Sequence, residues 1–299
     1  MKSSPLISVV MPVYNAEQYV ASAVKSILSQ SFPDFELVIV NDGSTDKSWD
    51  IVRSFNDNRM RLVSNPKNMG NYPSRNKGMK MASGKYICVM DADDISLPER
   101  LSVQFSFMEN NPDIGLSGTA YSTMDHFKPI YKEPDYENIR IILLRHCHLH
   151  HPTWIIRHDY IKRYQLYYNE SFKYAADYVL QTKAASLFPI SICNEVLLYY
   201  RMHKSQISSA NASEQGKLAD INRIQQLSLL GIEPTTEEEK LHLNFIKGRI
   251  VTIAGPDKVS RWAEKLVKAN HKMQYFNHSK FQDLVQLQLD KQIISNKIW

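Results

Sequence analysis

Glycine-rich phosphate loops are missing from this chain of 299 residues. Its 10 glycines begin only at Gly43, no two are spaced G-x-G, and none opens a G-x-x-x-x-G-K-[ST] run, which excludes both the dinucleotide fingerprint and the P-loop. Cysteine is scarce as well. Cys88, Cys147 and Cys193 are odd in number, widely spaced and without a C-x-x-C pair, so they form neither a disulfide framework nor a thiolate zinc site, and a reducing compartment is expected. Long apolar runs are absent too: no stretch of about 18 uncharged apolar residues occurs, so no bilayer-spanning helix is expected. Lys2, the apolar Leu6 to Val13 and Ala21-Ser22-Ala23 imitate a signal peptide, but Pro12, Asn15, Glu17 and Gln18 interrupt its hydrophobic stretch. Charge of one sign is lacking, with 36 Lys plus Arg against 31 Asp plus Glu and a net +5, which argues against a nucleic-acid partner.

What remains is an ordinary globular composition, 43% hydrophobic and 22% charged. A chain of this length sits near the limit of a single growing core, which predicts one large domain with an appendage or two unequal domains. Ile7 to Met11 reads as a strand, followed by a helical pattern carrying Val20, Ala23, Val24, Ile27 and Leu28, with Asn15 as its expected N-cap. Leu37-Val38-Ile39-Val40 has the unbroken hydrophobicity of a strand covered on both faces. Asn41 to Ser44 then turns into a helix around Asp46 to Phe55. A strand at Met60 to Val63, a helix near Ser74 to Met81 and a strand at Tyr86 to Met90 continue the alternation. This order predicts an α/β fold: a mostly parallel, Rossmann-like sheet with helices on both faces. Beyond about residue 119 the alternation breaks into short mixed elements rich in His and Tyr, and from about residue 212 the pattern is helical, interrupted at Pro234 and Gly255-Pro256.

Ligands of such sheets sit at the carboxyl ends of the strands. Those ends are Pro12-Val13-Tyr14-Asn15, Asn41-Asp42-Gly43-Ser44 and Asp91-Ala92-Asp93-Asp94. Asp91 and Asp93, two apart at a strand end, point to one side and can share a hard cation, Mg²⁺ or Mn²⁺, which holds phosphate oxygens in place of a glycine loop. The structural alternative is that the acidic run caps a helix begun by Pro98.

The segments Val10-Met11-Pro12-Val13-Tyr14-Asn15, Val40 to Asp46, Asn68-Met69-Gly70 leading to Arg75-Asn76-Lys77-Gly78, and Met90 to Asp94 together resemble family 2 glycosyltransferases of the GT-A fold. Ala176-Asp177-Tyr178 and Tyr199 to His203 resemble later blocks of that family, so the likeness reaches about residue 208. It implies a nucleotide-sugar-binding half over residues 1–118, an acceptor-binding half over 119–210, and a helical C-terminal region, 211–299, outside the likeness. It implies a UDP-sugar donor and a single displacement that inverts the anomeric centre. By resemblance, Pro12, Val13 and Tyr14 form the rim under the base and Asp42 accepts the uracil imide N–H. Arg75 faces the base or diphosphate, Asp91 lies near ribose and metal, and Asp93 lies on the metal. Arg201 and His203 match a basic block that clamps the diphosphate or completes the metal shell.

Attack also needs a general base for the acceptor hydroxyl, and Asp177 matches the family's base. Where many relatives carry a second acid before it, this chain has Ala176. A helix N-cap is the alternative role for Asp177. His151 and Trp154 fall near the acceptor pocket by resemblance, Trp154 either stacking on a sugar face or serving as a core aromatic. The cluster His146, His148, His150 and His151 lacks a second ligand pair at zinc spacing.

From Lys240 to Lys280 nine cations (Lys240, Lys247, Arg249, Lys258, Arg261, Lys265, Lys268, Lys272 and Lys280) face only Asp257 and Glu264. They form either a solvated face or a platform for an anionic membrane surface, with Trp262, Phe276 and Trp299 entering the headgroups. The reading is therefore an inverting, metal-dependent transferase of surface polysaccharide synthesis, acting on a glycan or lipid-linked glycan, cytoplasmic or peripheral at the inner face of the membrane. A non-catalytic nucleotide-sugar-binding module and a sugar-nucleotide pyrophosphorylase are the alternatives. The first would be expected to lack Asp91, Asp93 or Asp177, and the second to carry a glycine-rich phosphate loop after the first strand.

Overall fold

A computed structural model describes residues 4–203, 206, 211–249 and 255–296. They form two compact units, Met1–Pro134 with Leu149–Ala212, and Asp135–His148 with Ser213–Trp299.

The first unit is built on one sheet, ordered β3-β2-β1-β4-β8-β6-β9-β5, with β7 (Pro129–Ile130) paired to β6. Strands β1 (Ile7–Val13), β2 (Phe35–Asn41), β3 (Met60–Ser64) and β4 (Tyr86–Val89) pair in parallel. The parallel order expected from the sequence stops there. Strand β8 (Ile155–Arg157) is antiparallel to β4 and to β6 (Leu116–Thr123). Strand β9 (Ile190–Tyr200) is parallel to β6, and the short β5 (Ile95–Ser96) is antiparallel to β9.

Period-two alternation decides which helix covers which face. Val9, Met11, Val13, Leu37 and Ile39 point into a core with Val20, Ala23, Val24 and Ile27 of helix α1 (Val20–Leu28). Each is fully buried, a gain of roughly 1.5–3 kcal/mol for every one of these side chains except the smaller Ala23. The intervening Val10 and Val40 point the other way, onto helix α3 (Asn71–Met81). That helix packs so closely that a Cβ on Gly78 would lie 2.5 Å from Val10 Cγ1, so only glycine fits. Helices thus cover both faces. Because β1, β2 and β4 run parallel, their carboxyl ends, Val13, Asn41 and Val89, deliver the following loops to one edge.

Two local expectations change. Asn15 is not an N-cap: α1 starts at Val20, and Asn15 has φ +46° with its Oδ1 accepting the Thr45 N–H at 2.9 Å, tying the first two strand-end loops together. Helix α4 (Arg100–Asn110) starts at Arg100, not Pro98, so the acidic run does not cap it.

The second unit is helical. It takes in helix α5 (Tyr136–Leu143), which the sequence reading placed with the acceptor half, because Ile141 and Leu144 pack with Leu227, Phe245, Leu266 and Phe281. Helix Thr236–Ile246 opens with a capping box, Thr235 accepting from the Glu238 N–H at 3.3 Å and Glu238 accepting from the Thr235 N–H at 3.0 Å. Helices Pro256–Met273 and His278–Asn296 follow. Trp262 and Phe276 are 3% and 4% exposed in this core, so neither is available to enter headgroups, which corrects the expectation; Trp299 lies outside the described residues. Lys258, Arg261, Lys265, Lys268 and Lys272 form a stripe along one helix. Lys258 pairs with Glu237 at 2.6 Å, Lys265 with Glu238 at 2.5 Å and Lys268 with Glu264 at 3.3 Å. Lys247 pairs with Asp220 and Lys280 with Asp135. Much of the basic bias is thus answered by acids from outside the window. Among the described residues no helix is long and apolar enough to cross a membrane.

Candidate active site

The turn after β4 carries the chemistry. Asp91, Asp93 and Asp94 bring one carboxylate oxygen each within 4.8 Å of one another. The helix before them and the strand after them supply the compensating cations. Arg75, on α3 and only 1% exposed, ion-pairs with Asp91 and donates to the Met90 carbonyl at 3.2 Å, so it is no surface cation. The β5–β9 pairing places the end of β9 beside the turn. There the Arg201 N–H donates to Asp94 Oδ1 at 3.0 Å and Arg201 Nε to the Asp93 carbonyl at 2.8 Å, while His203 Nε2 lies 2.9 Å from Asp93 Oδ2. Tyr19 sits between these two groups, its ring 4.8 Å from the His203 ring and 4.9 Å from the Arg201 guanidinium.

Three carboxylates this close repel one another. Burial pushes the Asp91 carboxyl up against the opposing pull of Arg75, with Asp93 adding to the rise. Asp94 is fully buried and pushed well above the usual carboxylate range by burial, then by Asp91 and Asp93. Its Oδ2 has no hydrogen-bond partner among the described residues. A buried, unpartnered oxygen in a cluster of hard oxygen donors beside an imidazole is a donor set that fits Mg²⁺ or Mn²⁺.

The base-rim residues divide. Tyr14 is 47% exposed and Pro12 partly exposed at the strand end. Val13 does not present its side chain, which is wholly in the core; only its carbonyl is at the edge, accepting the Asp42 N–H at 2.8 Å. Asp42 is 2% exposed, and its carboxylate already accepts from Asn65 Nδ2 at 2.9 Å, Met69 N–H at 2.8 Å and Gly70 N–H at 2.9 Å. It therefore shapes the loop into α3. Gly70 enters that loop at φ +101°, and Gly43, at φ +70°, passes so near the same loop that a Cβ would lie 2.5 Å from the Lys67 carbonyl carbon.

Asp177 lies in the first turn of helix α7 (Ala176–Ala185), whose N-cap is Ala175, so the capping alternative does not hold. Its Oδ1 accepts from the Tyr72 hydroxyl at 3.0 Å. Burial raises the Asp177 carboxyl above its ordinary value, against the Tyr178 N–H and Tyr72 hydroxyl, and Arg75 lies within electrostatic reach of both Asp177 and Asp91. A partly raised carboxylate is a better proton acceptor at neutral pH.

Of the two acceptor candidates, His151 is part-exposed, with Nε2 2.8 Å from the Tyr168 hydroxyl; burial, then Arg75 and His150, hold its pKa well below the ordinary value, so it is neutral. Trp154 is fully buried, its Nε1 donating to the Leu149 carbonyl at 3.3 Å and its ring edge-on to His151 at 4.8 Å. It is a core aromatic supporting His151, not a stacking surface for a sugar. His150 stacks on Tyr121 at 3.8 Å. Sequence reasoning missed Tyr72 and Tyr19, which nothing in their spacing marks, and Asp94 as a third acid, although it stands inside the quoted run.

A parallel strand-end edge joined to a mixed half, with a carboxylate cluster where they meet, is the arrangement of the GT-A fold. The profile described as Glycosyl transferase family 2 matches residues 8–175, more than half of the chain, and the chain belongs to that family and is a glycosyltransferase enzyme. An uncharacterized glycosyltransferase of Haemophilus influenzae is 32% identical over 237 residues, covering 73% of this chain and 72% of that one. The Escherichia coli protein named UDP-Glc:alpha-D-GlcNAc-diphosphoundecaprenol beta-1,3-glucosyltransferase WfaP is 28% identical over 210 residues, 70% of this chain and 82% of its own. Among solved structures, S. aureus TarS in complex with UDP-GlcNAc superimposes with a TM-score of 0.65 at 21% identity over 96% of this chain and 88% of that chain, a likeness of fold.

Proposed function

We propose that this chain transfers a sugar from a UDP-sugar to a hydroxyl of a glycan or lipid-linked glycan, with inversion, with the help of Mn²⁺ or Mg²⁺, in surface polysaccharide synthesis at the cytoplasmic face of the membrane. The observation that carries it is a pair of acidic features: a crowded triad at the β4 end and, within electrostatic reach of it, a carboxylate held from another helix, Asp177. The name of the E. coli relative supports the donor and acceptor classes. A divalent cation held in the Asp91, Asp93 and Asp94 cluster with His203 would offset the charge that gathers on the departing diphosphate.

The chain's own residues do the rest. Tyr14 and Pro12 offer a surface for the base, and Asp42 holds the loop that closes beside it. Arg75 pairs with Asp91, orients it and opposes the rise that burial imposes on its carboxyl. Asp177 takes the proton of the acceptor hydroxyl as its oxygen attacks the anomeric carbon and the bond to the diphosphate oxygen breaks; a single displacement of this kind inverts the centre. The pairing of the C-terminal lysines and the burial of Trp262 and Phe276 give an inserted membrane platform no support.

Asp177→Asn tests the reading. The amide is nearly isosteric and still accepts from Tyr72, so UDP and Mn²⁺ affinity should persist while turnover falls by about two orders of magnitude or more. Near wild-type turnover would move the base to Glu170, an exposed carboxylate bonded to Asn76 Nδ2 at 2.9 Å.

A further inference from the structure

Tyr72 has no role in the reading above, yet it is the side chain that touches the proposed base. It is 7% exposed, and its ring is fixed by packing: it stacks on Tyr168 at 5.1 Å and 22° and meets the His151 ring edge-on at 6.3 Å. The Tyr168 hydroxyl is within 2.8 Å of His151 Nε2, so the aromatic group is tied down at both ends. The Tyr72 hydroxyl donates to Asp177 Oδ1 at 3.0 Å and its oxygen also meets the Asp177 backbone N–H. Asp177 also receives the Tyr178 N–H. A carboxylate on a helix can rotate about its last bond, and an unrestrained one presents either oxygen to an incoming hydroxyl over a wide range of angles.

Resting on the assignment of Asp177 as the base, we propose that Tyr72 is a positioning residue: its hydroxyl occupies Oδ1 and, together with the Tyr178 N–H, holds the carboxylate in the orientation in which it takes the acceptor proton. Helix α3 then serves both reacting partners. Tyr72 in its first turn sets the base, and Arg75, three residues on and on the same side, sets Asp91. The Tyr168–His151 pair contributes at one remove, by fixing the ring that carries the hydroxyl. A hydrogen bond from a neutral donor to a charged acceptor corresponds to roughly a ten- to hundredfold effect on a step that depends on it.

The test uses the full chain and UDP release in Mn²⁺ with water as acceptor, on whichever of UDP-glucose, UDP-galactose, UDP-GlcNAc and UDP-GalNAc is cleaved fastest. Tyr72→Phe keeps the stacked ring and removes only the hydroxyl. It should lower kcat by about ten- to a hundredfold with donor KM and UDP affinity within about twofold. Added to Asp177→Asn it should cause no further loss, because the group it positions is already disabled. Unchanged kcat in Tyr72→Phe, with Asp177→Asn inactive, overturns this inference and leaves the base assignment standing. A loss that persists in the Asp177→Asn background, or that comes with an equal loss of UDP affinity, assigns Tyr72 a general structural role and also overturns it. Full activity of Asp177→Asn removes the base assignment and this inference together.

Discussion

Arg75 carries one positive charge into a turn that holds three carboxylates, and it does so from a position 1% exposed, where its own charge is costly without Asp91. Its Nε is buried with no partner among the described residues, so its direct partners are Asp91 and the Met90 carbonyl, with Asp177 acting at longer range. Removing the guanidinium should therefore destabilise the fold by about 3 kcal/mol, the range found when one partner of a buried pair is deleted. We expect Arg75→Met to melt below wild type, and saturating Mn²⁺ to narrow the gap, since a bound cation replaces the missing charge. An equal gap with and without Mn²⁺ would show that Arg75 and a cation do not share Asp91. At this scale the sequence was legible where a residue type and a strand end coincide. Asp91 and Asp93 are read that way and Arg201 from its likeness to a family block, whereas Trp154 is not settled so: a tryptophan before a strand looks the same whether it lines a pocket or fills a core, and only burial distinguishes them. Asn15 misled for a related reason, because a residue suited to capping is equally suited to a left-handed turn, here at φ +46°.

Helix Thr236–Ile246 carries His242 into the second core at 2% exposure, with neither ring nitrogen hydrogen-bonded among the described residues and the Trp262 ring 5.7 Å away. Burial lowers its pKa to about 4, against an ordinary value near 6.5. The unfolded chain then binds a proton that the folded chain excludes, so stability should rise with pH between about 4 and 6.5 and be lost as pH falls through that window. The full effect of this one group is on the order of 3 kcal/mol. Urea unfolding at pH 7 and pH 4.5 should show a smaller difference for His242→Leu than for wild type, and identical differences would mean that His242 is not excluding the proton. Elements were legible where their period is clean: β1, β2, β4 and α1 lie within a few residues of their expected places. Helix α5 was not assigned to its core, because a linear reading groups a segment with its neighbours in sequence, while Ile141 and Leu144 find their apolar partners more than eighty residues further on, at Leu227 and beyond.

For the molecule as a whole, the parallel order of β1, β2 and β4 is what brings the exposed Tyr14, a loop-holding carboxylate and a carboxylate cluster to one edge, and the return of β9 past β5 is what adds Arg201 and His203. No glycine loop is present to receive phosphate, so under the proposed function the charge of a diphosphate is met by cations, one of them a metal ion held at the triad. The most direct test is calorimetric titration of UDP into the full chain with Mn²⁺ and, separately, with EDTA. Binding should be at least about tenfold tighter with Mn²⁺, a difference of about 1.4 kcal/mol, and Asp93→Asn should lose most of that gain. Equal affinity in Mn²⁺ and EDTA, unaltered in Asp93→Asn, would contradict the assignment of the Asp91–Asp93–Asp94 cluster as the metal and donor site.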